Sequence, residues 1–148
     1  MKKSEIQAAC MHKLQSQIEE LQAAKDKVQE SVVGEENSTS GNKFETARAM
    51  GQEELDRLNR QMNNFVREMN ILSQISPTKP CDTGQLGALI KTDKKTLYLS
   101  VALGKVELDK ETLYAISTVS PIGQLIMGKG KGDVISFAGK KEKIVSVD

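Results

Sequence analysis

Apolar residues recur every three or four positions through the first half of the chain and alternate with polar ones through the second. The first set is Met11, Leu14, Ile18, Leu21, Val28 and Val32, then Phe44, Leu55, Leu58, Met62, Phe65, Met69 and Leu72. This is heptad spacing, and it predicts two helices packed as a coiled coil. The first helix is expected from Ser4, with Gln7 completing a capping box, to Gly34, a residue suited to a left-handed stop. The second is expected from Asn42, with Glu45 as its reciprocal cap, to about Gln74. The two apolar sets mirror each other about Ser38: Leu14 with Met62, Ile18 with Leu58, Leu21 with Leu55, Met11 with Phe65, Val32 with Phe44. A turn centred there brings each pair to a matching height, so an antiparallel hairpin is predicted. At ~1.5 Å rise per residue, each limb is roughly 45 Å long. The base is Leu, Ile, Met and Phe, whereas nearer the tip the pairs become Lys25 with Gly51 and Val28 with Arg48. A firm base and a looser distal third follow. The tip, 35–42, carries no apolar residue.

From Gly84 the period shortens. The segments "LGALIKT", "TLYLSVA", "LYAIST", "DVISFAG" and "EKIVSVD" read as short strands separated by turn residues. Ser120 is a good N-cap, Pro121 fits the first helical position, and Leu125, Ile126 and Met127 give an apolar side before Gly128. The fold class is therefore α+β: a coiled-coil hairpin over 1–76, a linker over 77–83, and an antiparallel sheet with one short helix over 84–148. Pro77 and Pro80 stiffen the linker. Charge changes at the same place, from 10 basic and 12 acidic residues in 1–76 to 11 and 8 in 77–148.

Composition narrows the chemistry. Apolar residues are 38% and charged residues 28% of the chain, a soluble composition with a modest core. Aromatics are scarce and Trp is absent, which argues against base stacking on single-stranded nucleic acid. The net charge of +1 does not indicate nonspecific nucleic-acid binding. No stretch is apolar for long enough to span a membrane. The start, "MKKSEIQAACMHK", lacks the apolar core of a signal peptide, so a cytoplasmic location is expected. Cys10 and Cys81 form no CxxC pair and His12 is the one histidine, so no zinc site is expected and the thiols read as reduced. Residues 123–130 approach a phosphate-binding loop, but Gly130 stands where Ser or Thr must follow the Lys, and the middle reads as helix.

The stretch "SPIGQLIMGKGKGDVISFAGKKEKIVSV" resembles the C-terminal signature of the Gre family of bacterial transcript-cleavage factors, through Ser120, Pro121, Ile122, Leu125, Gly128, Lys129, Gly132 and Asp133. "GNKFETARAM" is similar to the start of that family's second helix. The resemblance implies an FKBP-like C-terminal domain docking on RNA polymerase, with Ser120, Pro121, Ile122 and Asp133 as docking residues. It also implies a hairpin that enters the polymerase secondary channel and modulates elongation, with or without stimulating transcript cleavage. No cofactor of its own is implied, because magnesium belongs to the polymerase; nor is enzymatic activity of its own, sequence-specific DNA binding, or an oligomer. With Phe44 on the family aromatic, the two acidic tip positions fall on Asn37 and Ser40, neither a carboxylate. Glu35 and Glu36 are then the candidate magnesium-assisting residues. A coiled-coil adaptor or chaperone-like protein is the alternative. A prolyl isomerase would need a deep aromatic pocket, and only Tyr98, Tyr114 and Phe137 are available for it.

Overall fold

The computed structural model describes residues 2–38 and 42–148, with side chains for 2–31 and 45–148. Helices α1 (Lys3–Ser38) and α2 (Asn42–Gln74) come first. Strands β1 (Leu89–Thr92), β2 (Thr96–Ser100), β3 (Gly104–Leu108) and β4 (Glu111–Ser117) follow, then helix α3 (Pro121–Ile126) and strands β5 (Val134–Phe137) and β6 (Lys140–Val147). The α+β class stands. The second helix has the limits its pattern predicts.

The first helix differs at both ends. It starts at Lys3, with the Glu5 and Ile6 amides donating to Lys2 O, so Ser4 is not its cap. Gln7 is used elsewhere: its Nε2 donates to Leu72 O at 2.6 Å and Ile75 O at 2.8 Å. The last carbonyls of a helix have no donor within it, and beside buried Leu72 and Ile75 they take the Gln7 amide. At its other end α1 runs through Gly34 to Ser38. A helical Gly costs about 1 kcal/mol, and the good helix formers Glu35 and Glu36 carry the helix past it. Of the expected tip, 39–41 and the side chains of Glu35 and Glu36 lie outside the described residues.

The chain forms two compact units, Leu14–Met69 and Met1–Lys13 with Asn70–Asp148. In the first, Leu14 and Leu58 are buried, while Ile18, Leu21, Val28, Leu55, Met62, Phe65 and Met69 are half-buried at the expected spacing. Two helices alone cannot enclose most of their seam.

The second unit contains a sheet of order β3-β4-β2-β1-β6-β5. It is mixed rather than purely antiparallel, because β2 and β4 run parallel, Leu97 opposite Tyr114 and Leu99 opposite Ile116. The chain leaves β2, builds edge strand β3, and returns as β4 into the slot beside β2. Strand β3 was absent from the sequence-based expectation. Its single buried residue is Val106, between exposed Lys105 and Glu107, too little to show alternation.

Both sheet faces are covered around β2. On one, Ala88, Ile90, Leu97, Leu99, Ile135 and Ile144 pack with Ile126 of α3 and with Cys81. On the other, Leu89, Tyr98, Val106, Leu113 and Ala115 are also buried. The first turns of α1 belong to that side. Lys13 Nζ donates to Leu103 O at 3.2 Å and Lys105 O at 2.6 Å. Burial pushes the Cys10 thiol up to about 11. Burial, reinforced by the nearby Cys10 and Cys81 sulfurs, pushes the Tyr98 hydroxyl up to about 12. Both cysteines are free and buried.

The segment expected as a linker, 77–83, is docked within this unit. Cys81 joins the core, Lys3 Nζ bonds Lys79 O at 2.7 Å, and Thr83 bridges Gly130.

Candidate docking surface

The stretch around α3 is built almost entirely from backbone necessities. Ser120 caps the helix: its Oγ accepts from Gly123 N at 3.1 Å and donates to Ser117 O at 2.7 Å. Pro121 occupies the first turn, where its missing N–H costs nothing. Gly123 lies so close to the preceding turn that a Cβ would stand 2.0 Å from Ser117 O. Gly84 meets the other end of the helix, where a Cβ would stand 2.1 Å from Ile126 O. Gln124 Nε2 closes the loop onto Thr118 O at 2.9 Å. The near phosphate-loop string is thus helical through Ile126, as its pattern predicts.

Three of the four residues read as docking residues are engaged inside the unit. Ser120 is the cap, Ile122 packs half-buried against the core, and Asp133 Oδ2 accepts from Gly130 N at 2.8 Å. Pro121 is exposed. The residues that face solvent with apolar side chains are neighbours the sequence did not single out for docking. Val119 is 78% exposed on the tight turn before α3, and Leu125 and Met127 are 38% and 39% exposed. The signal for Leu125 and Met127 was an apolar run longer than one helical face can bury; Val119 stands alone between Thr118 and Ser120 and had none. With Pro121 these three are the exposed apolar residues along the α3 stretch, whose start is fixed by the Ser117–Ser120–Gly123 bonds.

This stretch gathers no reactive set among the described residues. Among the described residues no three or more His, Cys, Asp or Glu gather as a metal site. The aromatics do not converge either. Tyr98 is buried on the α1 side of the sheet, while Tyr114 on β4 and Phe137 on β5 belong to the opposite face and are separated by β2, β1 and β6. No described helix is long and apolar enough to cross a membrane.

No family model and no curated protein matches the chain. Among solved structures it is similar to GreA factor homolog 1 (Gfh1) of Thermus thermophilus, at 16% identity over 93% of this chain and 94% of that one, with a TM-score of 0.38. Gfh1 of Thermus aquaticus is similar at 18% identity over 92% of each chain, with a TM-score of 0.35.

Proposed function

We propose that this chain is a Gre-type transcription factor, a cytoplasmic monomer that binds bacterial RNA polymerase and is not itself an enzyme. The sheet unit docks through the exposed Val119, Pro121, Leu125 and Met127, and the paired helices enter the secondary channel. The observation that carries this reading is the exposed apolar set itself: Val119 just before the Ser120–Asp133 signature, and Pro121, Leu125 and Met127 within it, around a helix start held by the Ser120 bonds. Exposed apolar side chains beside a fixed backbone suit protein docking.

Pull-down of core RNA polymerase tests it. The wild-type chain is expected to bind and to be displaced by an authentic Gre factor. Val119→Asp with Leu125→Asp should weaken binding at least tenfold without changing the helical or sheet content. A wild-type chain that neither binds nor competes removes the proposal.

Glu35 and Glu36 are the residues by which this chain could assist a polymerase-bound magnesium ion, because carboxylate oxygens suit that hard cation. Cleavage assays on arrested complexes with Glu35→Ala/Glu36→Ala test that role separately. An inactive wild type that still binds defines a non-cleaving regulator. A stable dimer in sedimentation, with no polymerase binding, would instead favour the coiled-coil adaptor.

A further inference from the structure

The overall charge of +1 conceals a strong local asymmetry. Strands β1, β6 and β5 lie side by side at one end of the sheet. Their register puts Lys91 opposite Ser146, Lys143 opposite Val134, and Lys141 opposite Ser136. Ile90, Ile135 and Ile144 point into the core on the α3 side, so alternation puts Lys91, Lys141 and Lys143 together on the other face. That face is open here: all three lysines are exposed, and Val134 and Val145 beside them are 57% and 50% exposed. Lys94, Lys129, Lys131 and Lys140, in the adjoining turns and at the start of β6, are exposed too.

None of these seven lysines is in an ion pair among the described residues; the pairs formed are Arg57–Glu54, Lys95–Glu142 and Lys105–Glu107. The carboxylates nearby are fewer than the lysines, and Glu142 is already paired with Lys95. Glu142 is 4% exposed and satisfied by Lys95 Nζ at 3.1 Å and Thr92 Oγ1 at 2.8 Å. Asp93 Oδ1 takes the Lys143 amide at 3.1 Å, and Asp133 takes that of Gly130. Asp148, opposite Leu89, lies two positions along the sheet from Lys91 and at the far end of β6 from Lys141 and Lys143. Protection of a sheet edge does not explain the pattern. Edge-guarding lysines belong on the edge strand, yet β5 reads Val-Ile-Ser-Phe and has none, while interior β6 carries Lys140, Lys141 and Lys143.

We infer that the open face of β1-β6-β5, with Lys91, Lys141 and Lys143 at its centre, binds the phosphodiester backbone of nucleic acid. Lysines displayed singly on a flat surface bind phosphates as point charges. The exposed residues of the face are Lys, Val and Ser with no aromatic among them, so contact is with the backbone and is indifferent to base sequence. This surface is separate from the apolar residues around α3, and the inference holds whether or not the chain binds polymerase.

Fluorescence anisotropy with the full chain and a labelled single-stranded oligonucleotide tests it, with a duplex of the same length as a second probe. Three phosphate contacts to a single strand predict that a fourfold rise in salt lowers affinity about 20-fold. Lys141→Glu/Lys143→Glu should reduce affinity at least tenfold, and the neutral pair Lys141→Gln/Lys143→Gln should leave a fourfold salt effect of about 3-fold. Lys25→Glu/Lys27→Glu, on α1, should leave binding unchanged. The inference is overturned by no binding at low salt, by equal loss in the α1 pair, or by equal competition from polyglutamate, which would make the partner an acidic protein.

Discussion

Gln7 and Leu72 are joined by a 2.6 Å hydrogen bond across 65 positions of sequence, from the Gln7 amide to the Leu72 carbonyl. It fixes the antiparallel sense of the helices and closes the C-terminal end of α2. Gln7→Met keeps the length of the side chain and removes both bonds to α2 and its exit. A loss of about 1–3 kcal/mol is expected, mainly from the Ile75 carbonyl left without the Gln7 donor, since Leu72 O keeps the Ile75 amide at 3.2 Å. Urea unfolding monitored by helical signal reads it directly.

The mirror relation along the helices makes a second test. Ile18→Cys/Leu58→Cys should form an intramolecular disulfide under mild oxidation, whereas Ile18→Cys with Val66→Cys should not, because Val66 is exposed away from the seam. Native Cys10 and Cys81 are buried and should not interfere. Cross-linking in the control pair, or only between molecules, would refute the register.

Turn strain gives a stabilising prediction. Ala138 has φ 53° in the β5–β6 turn, a left-handed conformation in which its Cβ crowds the following carbonyl. Ala138→Gly removes the crowding and should raise stability by about 1 kcal/mol. Gly123→Ala should do the reverse and more strongly, since the new methyl collides with Ser117 O. Thermal melts of the two variants should therefore move in opposite directions.

Alkaline pH should weaken the fold. The folded chain holds the Cys10 proton to about 11 against an ordinary 9.0, and the Tyr98 proton to about 12 against 10.0. Both values are raised, so this stabilisation is complete below pH 9. It is lost as pH rises, between about 9 and 11 for Cys10 and between about 10 and 12 for Tyr98. Each group contributes at most about 1.4 kcal/mol per pH unit. Urea midpoints at neutral and alkaline pH should show this decline, and Cys10→Val should remove its lower part.

Elements with strong periodicity were legible in the sequence. The α2 limits, the α3 cap at Ser120 and the half-buried seam of Ile18, Leu21 and Leu55 followed from spacing and capping chemistry. What was missed depended on contacts that are distant in sequence. Gln7 read as a local cap because Leu72 and Ile75 were not known to be its neighbours. Ile6 and Cys10 are wholly buried, ahead of the Met11 at which the heptad spacing begins, because they belong to the sheet unit. The parallel β2–β4 pair was hidden because alternation shows which face a residue occupies, not which strand lies beside it. Ser120 and Asp133, expected as docking residues, also hold the local backbone, a role that needs the folded loop to be seen; the exposure of Val119 was illegible because a single apolar residue in a turn makes no motif.

The sheet unit is assembled from residues on both sides of the 14–69 segment. During synthesis the paired helices can close as soon as α2 has left the ribosome, since all their partners are local. Cys10 and Lys13, made among the first, must wait for Tyr98 of β2 and for the start of β3, made well after α2. Newly made chains should therefore show protected helices well before Cys10 becomes shielded from thiol reagents.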